Sequence, residues 1–135
     1  MQIITTRSNY FRTTDAEKLR ALIFRTVTDD EPLNLWELQR PEGVTLYAFG
    51  GYGGILGVGG EPDLTAFHTE LSELVAPGDA VIIMEVSSEG FCCLDAWATV
   101  ITRKGGRKTL SLQSSSILVA RDLLDNASFT TRMSY

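Results

Sequence analysis

Residues 44–86 read VTLYAFGGYGGILGVGGEPDLTAFHTELSELVAPGDAVIIMEV. Three elements follow one another in this stretch. Val44 to Phe49 is rich in β-branched and aromatic residues and reads as a strand. Glu61-Pro62-Asp63 opens a helix, with proline in the first turn, and Leu64, Phe67, His68, Leu71, Leu74 and Val75 recur at helical spacing as its inner face. Pro77-Gly78-Asp79 stops that helix. Ala80 to Val86 is then a short apolar run and reads as a buried strand. Between the first strand and the helix lie seven glycines, at 50, 51, 53, 54, 57, 59 and 60, which read as a loop.

Working toward the N-terminus, Pro41-Glu42-Gly43 is a turn signal, and Leu33 to Leu38 makes a hairpin with Val44 to Phe49. Before it, Asp29-Asp30-Glu31-Pro32 ends a helix that begins at Thr14. There Thr14 and Glu17 have the spacing of a capping box, and Leu19, Leu22, Ile23 and Thr26 form the core stripe. Met1 to Arg12 reads as a strand with a break near Ser8-Asn9. Toward the C-terminus, Ser88-Glu89-Gly90 is a turn, and Phe91 to Thr102 and Arg107 to Gln113 are strands. Gly105-Gly106 joins them as a tight hairpin, because the favoured turn needs positive φ. Ser114, Ser115 and Ser116 offer cap hydroxyls for a third helix, Ile117 to Asn126.

The predicted fold is therefore α+β: a mainly antiparallel sheet of about six strands with helices on one face, in the order β-α-β-β-α-β-β-β-α. Its first six elements follow the ferredoxin-like order. With 135 residues and no long linker, the chain reads as a single domain, 1–135. A chain of this length buries roughly two-thirds of the surface it exposes when unfolded, so it needs no disulfide or metal to fold.

Hydrophobic content of 44% and charged content of 21% are ordinary globular values and exclude collagen-like and disordered classes. The longest apolar run, Ala80 to Met84, is far short of a membrane span. The start MQIITTRSNYF lacks the pattern of a secretory signal. The two cysteines, Cys92 and Cys93, are adjacent and would point to opposite faces of a strand, which sets them against bonding each other. One histidine and no CxxC set the chain against a structural zinc site. No cofactor and no metal is expected, and reduced cysteines fit a cytoplasmic setting.

Charge is distributed unevenly. From Asp29 to Asp95 there are thirteen acids and one base, Arg40, while the rest of the chain holds eleven bases and four acids. The formal net charge of −5 is thus a −12 middle and +7 flanks. The overall acidity excludes a general nucleic-acid binder. If folding keeps the two sets apart, the surface is bipolar.

Candidate chemistry is sparse. The glycine loop precedes a helix N-terminus, where backbone N–H groups can bind an anion. It fits no G-x-G-x-x-G register and no Gly-Lys-Ser/Thr follows, so a phosphate cradle is not indicated. Tyr47, Phe49, Tyr52, Ile55 and Leu56 put apolar groups on or beside the loop. His68 is read as a helix-side histidine rather than half of a Cys–His pair. Glu85 and Asp95, carboxylates in apolar strands, are read as facing solvent or pairing with arginine. Arg103-Lys104-Gly105-Gly106-Arg107-Lys108 is a compact cationic tip suited to phosphate or an acidic surface, or to keeping an edge soluble.

The segments SNYFRTTDAEKL (8–19) and AVIIMEV (80–86) resemble small accessory proteins carried by bacterial phages and plasmids, which travel with anti-restriction or anti-CRISPR genes. The resemblance implies interference with host defence and carries over no functional residue. The leading expectation is a non-enzymatic protein that inhibits a host nucleic-acid-processing defence complex, a protein or ribonucleoprotein, through an acidic surface. Its expected partner-binding residues are Asp29, Asp30, Glu31, Glu70, Glu73 and Tyr52, with Arg103, Lys104, Arg107 and Lys108 on the basic tip. No catalytic residue, no sequence-specific nucleic-acid contact and no membrane association is expected. The alternatives are a small enzyme or ligand-binding domain using the glycine loop at the second helix, and a homodimeric scaffold.

Overall fold

A computed structural model describes residues 3–89 and 93–130. Its elements are β1 (Ile3–Ser8), α1 (Ala16–Arg25), β2 (Val27–Thr28), β3 (Asn34–Gln39), β4 (Thr45–Tyr52), β5 (Ile55–Gly57), α2 (Leu64–Leu74), β6 (Ala80–Glu89), β7 (Cys93–Thr102), β8 (Arg107–Ser111) and α3 (Leu112–Leu124). Six strands form an antiparallel sheet in the order β3-β4-β1-β6-β7-β8, and β2 and β5 pair separately. The order β3-β4-β1-β6 is the ferredoxin-like arrangement, with β7 and β8 added at the β6 edge.

Strand alternation divides the sheet into two faces. One carries Leu35, Phe49, Ser8, Ile83, Val81 and Ile101, as the strand registers require. Against it pack Leu19, Leu22 and Ile23 of α1 and Phe67, Leu71 and Leu74 of α2, in one cluster. Phe49 is its centre. Its ring meets Phe11 and Phe67 edge-on at 6.2 and 6.3 Å. α3 lies against β7 and β8 and buries Ile117.

The other face carries Ile82, Met84 and Val86 of β6 and Leu110 of β8, all exposed. This corrects the reading of 80–86 as a buried strand, since one of its faces is open. Only Val81 and Ile83 are enclosed. An apolar run does not reveal how many of its faces are covered, because that depends on where the helices pack.

Local boundaries shift for identifiable reasons. α1 is capped by Asp15, which accepts from the Lys18 N–H at 3.1 Å, rather than by Thr14. The Asp15 carboxylate takes the Lys18 N–H, one donor further along than the Glu17 N–H of a Thr14 cap. α2 begins at Leu64, capped by Asp63, so Pro62 precedes the helix. Gly50 and Gly51 belong to β4 rather than to a loop. A Cβ on Gly50 would stand 2.5 Å from the Thr6 carbonyl oxygen, so glycine permits the close approach of β4 to β1. The 105–106 hairpin is a short 3₁₀ turn with Lys104 and Gly105 at positive φ (68° and 83°). α3 starts two residues before the serine run, at Leu112, with Ser111 accepting from the Ser114 N–H at 3.0 Å. Ser88 and Glu89 continue β6 rather than turning. Gly90, Phe91 and Cys92 lie outside the described residues, as does the pair geometry of Cys92 and Cys93.

Candidate functional site

Acidic residues and their partners show what folding does to the charge map. Three ion pairs occur among the described residues: Arg12–Asp79 at 3.6 Å, Arg25–Glu70 at 3.1 Å, and Arg20–Glu37. Each joins a base from the basic flanks to an acid from the acidic middle. The central position of β1 brings this about, since it places the N-terminal third against both halves of the middle span. The −12 and +7 sets are therefore interleaved along these contacts. Exposed pairs of this kind contribute little stability, but they neutralise the acids they engage.

The ten predicted contact residues separate into three places. Asp29, Asp30, Glu31 and Tyr52 come together. The Glu31 N–H donates to the Tyr52 carbonyl at 2.9 Å, and the Asp29 N–H to the Gly54 carbonyl at 3.1 Å. An Asp29 carboxylate oxygen accepts from the Gly54 N–H at 2.7 Å. Gly53 (φ 130°) lets the chain pass so close to Asp30 that a Cβ there would meet it at 3.1 Å. Asp30, Glu31 and the Tyr52 side chain are exposed. Glu70 and Glu73 sit apart, lining a shallow groove between α1 and α2 with Lys18 and Arg25. Glu70 is already held by Arg25.

The basic tip is divided by strand alternation. Arg107 turns toward α2, where its Nη1 lies 3.0 Å from His68 Nδ1. Arg103 donates to the carbonyls of Glu73 and Val75 at 3.3 and 3.2 Å and so closes the C-terminus of α2. Lys108 shares the opposite face with Val100, and Lys104 stands at the turn. The four charges do not form one knob. The glycine loop likewise does not leave a helix N-terminus open, because Asp63 caps α2 and Val58 and Asp63 exchange backbone bonds of 3.2 and 2.9 Å. Of its apolar residues, Tyr47, Phe49 and Ile55 are buried, and Tyr52 and Leu56 are exposed.

Glu85 neither faces solvent nor meets an arginine. It points to the helix-bearing side, sharing parity with Val81 and Ile83, and accepts from the Thr6 hydroxyl at 3.2 Å and the Ile55 N–H at 3.3 Å. That parity was the available signal in the sequence. Burial pushes the Glu85 carboxyl above the usual carboxylate range, with the Asp29 charge adding to it, while bonds from Ile55, Thr6 and Trp97 pull the other way. A raised carboxyl makes its ionised form costly in the folded state. That cost sets in as pH rises through the ordinary glutamate range toward the raised value. Glu85→Gln retains an acceptor for Thr6 and Ile55 without the charge. Its urea midpoint is expected to exceed that of the parent at neutral pH, and the difference to vanish below about pH 4.

Large apolar side chains are also exposed. On α3 these are Leu112, Leu118, Val119, Leu123 (81% exposed) and Leu124, and on the sheet Ile82, Met84 (54%), Val86 and Leu110. Among the described residues, no cluster of ligands suited to a metal occurs, and no helix is long and apolar enough to cross a membrane. No protein-family model, curated protein or solved structure matches the chain.

Proposed function

We propose that the protein acts by binding a macromolecular partner rather than by catalysis, and that the acidic end formed by Asp29, Asp30, Glu31 and Tyr52 makes the contact. The observation that supports this is the lack of compensation there. None of the three ion pairs among the described residues involves Asp29, Asp30 or Glu31, whereas Glu37, Glu70 and Asp79 are each matched by an arginine. Hydrogen bonds to Gly54 and Tyr52 hold the loop in place, so its charge is presented at little cost in ordering on binding. Uncompensated carboxylates steer toward basic surfaces. In this reading the partner is a basic groove that otherwise holds nucleic acid. The role is inhibition of a host nucleic-acid-processing defence complex, as the resemblance to phage and plasmid accessory proteins implies.

The test is phage plating on cells that carry a restriction or CRISPR system and express the protein. The parent chain is expected to restore plating. Asp30→Lys with Glu31→Lys is expected to lose that effect while the protein keeps its thermal stability. Asp29 is left alone, because its bond to Gly54 is structural. Equal protection by the double variant sinks the reading, and so does the parent's failure against every such system.

A second reading, a homodimeric scaffold, is favoured by the apolar exposure on β6, β8 and α3. Met84 and Leu110 stand in one row across the open sheet face, and exposed apolar patches mark interaction sites. Light scattering at two concentrations is expected to give a mass moving toward twice 14.8 kDa, and Met84→Glu to return it to that of one chain. A constant single-chain mass excludes self-association.

A further inference from the structure

We propose that the cleft between α2 and the β7–β8 hairpin binds a small oxyanion of the phosphate class, held by Arg107 and His68. This goes beyond the acidic contact proposed above and depends on none of its residues. The cleft has a volume of about 250 Å³, and its walls are Thr65, His68, Thr69 and Ser72 from α2 and Ile101, Gly105, Gly106 and Arg107 from the hairpin. That is below the roughly 300–1,000 Å³ of drug-sized pockets and suits inorganic phosphate or a small phosphate monoester.

The lining has one guanidinium, one imidazole, three hydroxyls and no carboxylate, in a chain whose acids outnumber its bases by 17 to 12. The nearby acids are occupied or turned to other work. Glu70 is paired with Arg25, and Glu73 lines the α1–α2 groove rather than this cleft. The walls are fixed before any ligand arrives. Ser72 accepts from the Gly105 N–H at 2.6 Å and donates to the Thr102 carbonyl at 2.8 Å, and Arg103 ties the hairpin to the end of α2. A preformed site spends less on ordering.

Arg107 and His68 meet in a way that leaves donors for an anion. Because Nδ1 faces the Arg107 guanidinium, the neutral ring carries its proton on Nε2, and Arg107 keeps further N–H groups. Burial and then the Arg107 charge hold His68 below the usual imidazole range, so the empty site has one cation. Arg107 is the charge that acts on the ring, and the Phe67 ring lies 5.8 Å from the imidazole. A dianion beside the two groups, on the free Arg107 N–H groups and the His68 Nε2–H, offsets the repulsion that keeps His68 neutral. Binding therefore raises the midpoint at which His68 titrates, and by linkage the anion binds more tightly as pH falls through that range.

His68 is the only histidine, so its ring signals in a proton NMR spectrum are unambiguous. Sulfate is the first probe, because it remains a dianion between about pH 5 and 8, where histidine titrates. Saturating sulfate is expected to raise the His68 midpoint by about one unit, equivalent to binding about tenfold tighter at the acidic end. Sodium chloride at matched ionic strength is expected to give a much smaller shift. Arg107→Gln abolishes the sulfate response, and Lys104→Gln, outside the lining, retains it. Inorganic phosphate and a hexose monophosphate, compared at one pH, separate a site for the free ion from one for an esterified phosphate. An equal shift with chloride, or a sulfate response that survives Arg107→Gln, overturns the proposal.

Discussion

Phe49→Ala is expected to lose about 3–5 kcal/mol of folding stability, the range for removing a fully buried phenylalanine from a well-packed core. Phe49 is 0% exposed and sits between Phe11 and Phe67, with both ring pairs edge-on. The three rings belong to the segment after β1, to β4 and to α2, so truncating the middle one loosens three elements at once. Each edge-on pair adds about 0.5–1.5 kcal/mol beyond burial. Against the roughly 5–15 kcal/mol of a typical domain, the variant is left marginal. Urea unfolding checks this, with a lower midpoint and an unchanged slope as the expected signature. Phe49→Leu keeps much of the volume and is expected to cost clearly less. Equal losses for both variants would show that the rings' shape, rather than the space they fill, holds this part of the core.

Gly57→Ala is expected to be the most damaging glycine-to-alanine change among the described residues, at about 2–4 kcal/mol. Gly57 has φ 128°, a conformation disfavoured for any side chain, and an added Cβ would overlap the backbone of Asp63 and Leu64. Those atoms form the start of α2. The Val58–Asp63 backbone bonds and the Asp63 cap depend on that contact, so strain at Gly57 spreads to the first turn of the helix. Gly60→Ala is the control. It has no atom within 4 Å of its added Cβ and no positive φ, so it is expected to change stability by no more than about 0.5 kcal/mol. Thermal melts of the two variants side by side read the difference directly.

Much of the fold was legible because its signals are local. The stripe Leu19, Leu22, Ile23 and Thr26 is buried as the helical period required, and the hairpin at Pro41-Glu42-Gly43 forms with Gly43 at φ 80°. The element order led to the antiparallel six-stranded sheet. Cap positions moved by one to three residues, because several neighbouring polar side chains can each cap a helix start and tertiary packing selects which one does. The short strands β2 and β5 were not foreseen. Two or three residues carry no period, and they pair only because the chain after α1 and the chain after β4 are brought side by side.

The candidate site was less legible, and for one reason. A charge on the sequence says nothing of its partner. Glu70 looked as free as Asp30, and Arg107 looked like one of four equivalent cations. Folding matched Glu70 to Arg25, turned Arg107 toward His68 and sent Lys108 to the other face. Sequence alone determined the helix and strand periods, the turns and the total charge of −5, all of which depend on composition or on neighbours a few residues apart. Tertiary structure decided which acids keep their charge unopposed, which face of β6 stays open and where the α2–hairpin cleft lies. Those outcomes rest on β1 threading the centre of the sheet, which brings residues from distant parts of the chain into contact.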